Sequence, residues 1–256
     1  MYICSYKIKI YQHILKGMKK RSFSVKHVLN KNLKPSAVVD PKDPSLKFYP
    51  VYNRLIYNRK HYLFKSIVTS YYTDLNYADK NDKDVMAFEL DFLRDIIEFE
   101  IAEKKEKFDV PGFGHLYENY RRSVVSEAEK YLIGKIEALI KSGKSKFQEI
   151  IDFKYKPGKL HFLLEAIRIL VPGLKGNIEF KKYELAEIFW EYYNKSFPRK
   201  EKYGLIFPTL FDWIREGHKT VMHDIIESDF KDAESRLVME YLEEFDYGMR
   251  AQTVGI

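Results

Sequence analysis

The residues best suited to chemistry lie between Phe48 and Ser66, in FYPVYNRLIYNRKHYLFKS, where arginine, lysine, histidine and tyrosine recur with period two. Polar and apolar residues alternate from Val51 to Tyr57, a polar clutch Asn58-Arg59-Lys60 follows, and alternation resumes from His61 to Ser66. That is the pattern of two strands and a turn. Successive side chains of a strand point to opposite faces, so Tyr52, Arg54, His61 and Lys65 fall on one face. A two-stranded ribbon fits the DNA major groove; arginine bridges a guanine edge bidentately, and lysine, asparagine and tyrosine reach phosphates. The competing reading is a hairpin whose tyrosines and arginine pair across strands for stability and solubility.

Other groups promise less. His218, His223 and Glu227 are spaced by five and four, which brings two of them together on a helix, but the HExxH order is missing and a metal needs three or four converging ligands. They read as a helix surface. Glu98, Glu100 and Glu103 read as a charged helix face, Gly112-Phe113-Gly114 lacks the Gly-Lys-Ser/Thr of a phosphate loop, and Phe189, Trp190, Tyr192 and Tyr193 read as core. No catalytic residue, metal or cofactor is expected.

Charge is distributed unevenly. Residues 1–70 carry 15 Lys/Arg against 2 Asp/Glu, a net +13, whereas the remaining 186 residues carry 29 against 35, a net −6. A front half of that sign attracts polyanions, nucleic acid first and an anionic membrane surface second. The single cysteine, Cys4, excludes an internal disulfide and a multi-cysteine zinc cluster, which suits a reducing, cytoplasmic compartment. No run approaches the roughly 18 apolar residues of a membrane-spanning helix, and residues 1–18, ending at Met18, read as an N-terminal extension without a secretory signal.

The elements that must position the hairpin follow from periodicity. Arg21 to Asn30 reads as a first strand with Phe23 and Val25 on one face, and prolines 35, 41 and 44 make the following segment a loop. Asn81 to Asp84 offers a cap for a helix whose stripe Val85, Phe88, Phe92, Ile96 and Phe99 covers the sheet. Pro111-Gly112 marks a boundary. Beyond it, Ser126 with Glu129 and Ser145 with Gln148 read as capping boxes, Pro157-Gly158 breaks the chain, and helices recur to a last one with Leu237, Tyr241, Leu242 and Phe245 inward. The expected fold class is α+β: a three-stranded antiparallel sheet with one packed helix at 19–108, then an all-helical unit at 114–248.

Phe23-Ser24-Val25, Tyr49-Pro50-Val51-Tyr52-Asn53-Arg54-Leu55 and Tyr57-Asn58-Arg59-Lys60 together resemble the arm-type DNA-binding domain at the N-terminus of Bacteroidetes-type tyrosine recombinases, over about 85 residues. That family places a strand, a strand opening with Tyr-Pro and carrying Tyr-x-Arg, an Asn-Gly-Lys turn and a third strand before one helix. Here Arg59 replaces the turn glycine, and Asn53 stands where an apolar residue is usual. The resemblance implies a sheet laid on double-stranded DNA with Tyr52, Arg54, Asn58 and Lys60 at the contact positions; Arg59 of the turn, and His61 and Lys65 by strand alternation, complete the expected DNA-binding set. The recombinase's His-x-x-Arg is missing from all seven histidines, so Tyr241 and Tyr247 read as helix-face or capping residues and no strand cleavage is expected. The expected function is a non-catalytic DNA-binding protein, integrase-like and of a mobile genetic element, with a protein partner or a second copy held by the helical unit. The alternative is a helical protein-interaction module whose basic N-terminal part docks an acidic partner.

Overall fold

Phe23–Leu29 (β1), Tyr49–Tyr57 (β2) and Lys60–Lys65 (β3) form an antiparallel sheet in the order β1-β2-β3, and Tyr71–Tyr72 (β4) pairs with the start of β2. The computed structural model describes residues 23–37, 40, 42–104, 108, 110–142, 160–170, 172–174 and 176–254. The expected extension at 1–18, the Ser145/Gln148 capping box and the Pro157-Gly158 break lie outside them. Register is set by opposed residues: Val25 faces Leu55, Leu55 faces Tyr62, and Tyr57 faces Lys60 across a two-residue turn. Val51, Asn53, Leu55 and Tyr57 of β2 are buried, and the alternate residues Tyr52, Arg54 and Ile56 are half-buried on the opposite face.

The helix Lys80–Lys104 (α1) packs against β1 on the buried side of the sheet, and Phe108 meets Tyr57 edge-on with centroids 5.1 Å apart. The cap of α1 is Asp79, two residues before the expected position: the side chain accepts the N–H of Asp82 at 2.8 Å. The inner stripe is also rotated from the expected one. Val85, Phe92 and Ile96 are buried, but Phe88 and Phe99 are half-buried, and Glu89 and Glu100 take inner positions. Glu100 is therefore not part of a solvated face: it is 2% exposed and pairs with Lys104 at 2.7 Å, while Glu98 and Glu103 remain exposed.

Glu89 has no exposed surface, and its carboxylate joins the helix to three parts of the sheet. One oxygen accepts from Asn53 Nδ2 of β2 at 2.9 Å and from the Ile67 N–H, just after β3, at 3.0 Å. The other meets His27 Nε2 of β1 at 2.9 Å and accepts the Ser66 hydroxyl. Burial alone pushes such a carboxyl upward, yet the bonds from His27, Ser66 and Asn53 outweigh it and hold Glu89 below its ordinary value. Asn53, the polar residue at an apolar position, thus has a specific partner. Beside this hub Val51, Val68, Ala78, Val85 and Met86 close an apolar cluster, and Tyr72 donates to Asp82 and fastens β4 to the first turn of α1.

The chain divides into two compact units, residues 1–111 and 112–256. The second contains Phe113–Tyr120 (α2), Val124–Ser142 (α3), Leu160–Leu170 (α4), Ile178–Ser196 (α5), Leu210–Arg215 (α6), His218–Asp229 (α7) and Asp232–Val254 (α8). It is not wholly helical: Lys200–Lys202 (β5) and Leu205–Phe207 (β6) form a hairpin through Tyr203 and Gly204, both at positive φ. α3 begins at Val124, so Ser126 and Glu129 lie inside the helix instead of capping it; Glu129 is buried and accepts the Leu160 N–H at 3.2 Å. Phe189, Trp190, Tyr193, Trp213, Tyr241, Leu242 and Phe245 fill the core, with Leu237 packed partly against it. Trp190 donates to the Tyr241 hydroxyl at 3.0 Å and Trp213 to Asp246 at 2.9 Å.

Removing the Glu89 carboxylate strands several buried donors at once. Glu89→Ala is expected to destabilise the first unit by about 2–4 kcal/mol in urea denaturation, whereas the exposed Glu98→Ala stays within about 0.5 kcal/mol. Because Glu89 titrates lower in the folded than in the unfolded chain, its contribution is complete above its ordinary value of 4.5 and fades as pH falls below it. An acid titration of the parent is expected to lose stability in that window, and the same titration of Glu89→Ala to lose less.

Candidate nucleic-acid interface

The register decides which side chains meet on the face turned away from α1. Three rows of opposed residues cross it: Ser24, Ile56 and His61; Lys26, Arg54 and Leu63; Val28, Tyr52 and Lys65. The structure therefore brings Tyr52, Arg54, His61 and Lys65 together. Lys26 joins them, directly opposite Arg54, and this residue sequence reasoning missed. Its signal was present, since Phe23 and Val25 facing inward leave Ser24 and Lys26 outward. Apart from exposed Ser24, the rest of the face is apolar, with Leu63 38% exposed beside half-buried Ile56 and Val28.

Asn58 and Arg59 form the tip, both exposed and both in the left-handed region, at φ 48° and 64°. Such a pair is the type I′ turn whose twist matches a hairpin. Asparagine tolerates it; arginine, carrying a Cβ, does so at a cost of about 1 kcal/mol. The glycine-for-arginine departure has not prevented the tight turn. Lys60 is exposed but opposes Tyr57, whose side chain is on the α1 side, so its register separates it from Arg54.

Electrostatics sharpen the asymmetry. FSVKHVL, YPVYNRLIY and KHYLFK contain no aspartate or glutamate, whereas α1 behind them holds eight against four Lys/Arg. Like charges placed directly opposite in a sheet destabilise it, and Lys26 and Arg54 are such a pair. Among the described residues neither forms an ion pair, and the buried Nε of Arg54 has no hydrogen-bond partner. The first unit is thus basic on the open sheet face and acidic on the helix.

The other reactive groups do not assemble into a site. His218 is 4% exposed, not on a helix surface; it meets the Tyr193 hydroxyl at 3.1 Å and Glu216 at 3.2 Å and stacks on Phe197 with centroids 3.9 Å apart. His223 and Glu227 lie 3.6 Å apart at the surface, and no group of three metal-ligating side chains occurs among the described residues. Gly112 precedes the first turn of α2, and Phe113 is buried. Tyr241 is fully buried and Tyr247 is 76% exposed. Among the described residues no helix is long and apolar enough to cross a membrane. No family model, curated protein or solved structure matches the chain.

Relieving the turn strain provides a test of the tip geometry. Arg59→Gly restores the residue that left-handed backbone favours and is expected to stabilise the first unit by about 1 kcal/mol, read as a rise in denaturation midpoint. Arg59→Val, β-branched, is expected to move it the opposite way.

Proposed function

We propose that the chain is a non-catalytic, cytoplasmic DNA-binding protein that lays the open face of its β1-β2-β3 sheet against double-stranded DNA, in the manner of an integrase arm domain from a mobile element. The observation that carries this reading is the Lys26–Arg54 opposition without a carboxylate partner among the described residues. Two opposed cations repel one another until an anion lies between them. Phosphates provide that anion in a regular array. Arg54, at the centre of the face, is the residue placed to reach a base edge; Lys26, Lys65 and the tip residues Asn58 and Arg59 serve the backbone; and Tyr52 and Leu63 supply apolar contact. The acidic helix turns the other side of this unit away from DNA.

Gel shift of a mixed-sequence duplex over a salt series tests the proposal. Binding is expected to weaken with salt, log K falling against log salt with a slope on the order of −3 to −5 for a handful of neutralised phosphates. Arg54→Ala and Lys26→Ala are each expected to cost about tenfold or more, and Arg59→Gly to weaken binding although it stabilises the fold. Lys60→Ala, on the α1 side by register, is expected to cost less than about threefold. Equal binding by parent and Arg54→Ala chains removes the sheet face from the interface and favours the docking of an acidic protein partner instead.

A further inference from the structure

The open face of the first sheet does not end at the row of Val28, Tyr52 and Lys65. Beyond it Tyr71 of β4 is paired with Pro50 of β2. Residues paired across an antiparallel ladder share a face, and neighbours along a strand do not. Tyr72 fixes the two sides, because its hydroxyl donates to Asp82 of α1, so Tyr71 lies on the side away from the helix. Pro50 lies there too, since Val51 beside it is buried. Pro50 and Tyr71 thus form a fourth row, in which Tyr71 is diagonal to Tyr52, a separation of about 7–8 Å that aromatic side chains span.

Tyrosines on the two sides of the sheet are used differently. On the α1 side Tyr57 meets Phe108 edge-on and Tyr62 stacks on Phe64 with centroids 6.0 Å apart. On the open side neither the ring nor the hydroxyl of Tyr52 or Tyr71 has a partner among the described residues, and Tyr71 is 46% exposed. Lys65, exposed and opposite Tyr52, supplies a cation beside these rings, and none of the four strands contains an aspartate or glutamate. A base inside a duplex is covered above and below by its neighbours, so its edge and its phosphate are open to a protein but its face is not. Open ring faces next to a lysine match an unpaired nucleotide, whose base stacks while its phosphate meets the cation.

We propose that Tyr52, Pro50 and Tyr71 form a stacking platform for unpaired bases of a DNA strand that continues from the duplex held at Lys26 and Arg54, with Lys65 on the phosphate between. The inference rests on the reading of this face as a DNA-binding surface and narrows its substrate to a duplex with a single-stranded tail. From Arg54 to Pro50 the strand runs about 13 Å, or about four nucleotide steps of a duplex strand, so the tail begins within a few nucleotides of the central arginine.

The test is a fluorescence-anisotropy titration of the full chain at fixed salt. A blunt duplex is compared with the same duplex carrying a short thymine tail at its 3′ or its 5′ end, and with the tail made abasic, which keeps the phosphates and removes the rings. One thymine-tailed form is expected to bind about fivefold to tenfold tighter than the blunt and abasic-tailed forms. That ratio is expected to fall to about one in Tyr71→Ala and to persist in Tyr71→Phe, which keeps the ring and lacks the hydroxyl. A ratio taken within one chain is insensitive to the folded fraction of the variant. With 5-iodouracil in the tail, irradiation of the complex is expected to cross-link the peptide bearing Tyr52 or Tyr71. Equal gain from the abasic tail, loss of the ratio in Tyr71→Phe as in Tyr71→Ala, or cross-links mapped only elsewhere each overturn the platform. Equal binding of blunt and tailed duplexes, both weakened by Arg54→Ala, overturns the platform alone and leaves duplex binding standing, whereas a parent chain that binds neither overturns both.

Discussion

One buried carboxylate organises the first unit. Glu89 is presented by α1 to β1 through His27, to β2 through Asn53 and to the end of β3 through Ser66 and Ile67. A carboxylate in that position is costly without partners and specific with them, because each bond is directional where apolar packing is not. Shifting β2 by one residue would place Asn53 on the open face and Arg54 against Glu89. The hub therefore discriminates between registers, and so decides which side chains reach the open face.

From this constraint the chemistry of the open face follows. Once Asn53 faces inward, Tyr52, Arg54 and Ile56 face outward, and antiparallel pairing sets Lys26 opposite Arg54 and Lys65 opposite Tyr52. Charge is segregated by the same geometry, with the acids of α1 on one side of the sheet and the cations on the other. The second unit is built differently, around indoles whose N–H groups are satisfied by Tyr241 and Asp246. Asp246 is buried enough to raise its carboxyl, but bonds from Arg250 and Trp213 hold it low, so it too stays charged in the interior.

Much of the hairpin was legible in the sequence because period-two alternation from Val51 to Tyr57 admits few registers, and the turn residues lie where the pattern breaks. The outward side of Lys26 was readable too, but its place opposite Arg54 was not, since the proline-bearing segment between β1 and β2 is long enough to permit either neighbour order. Glu89 escaped for a different reason: on a helix a glutamate one position from Phe88 reads as solvent-facing, and only the sheet's donors draw it inward. His218 is a similar case, buried by a ring stacked from Phe197, which is distant in sequence and invisible to helical spacing. The Lys200–Phe207 hairpin has strands of three residues, too short for periodicity to reveal.

The opposed pair Lys26 and Arg54 has a thermodynamic corollary. Repulsion stored across two strands is released by whatever neutralises it, so occupancy of the face and integrity of the sheet are linked by mass action. Multivalent anions in general, sulfate or heparin among them, should act on this fold as stabilisers, and the unliganded sheet is the less robust form of the molecule.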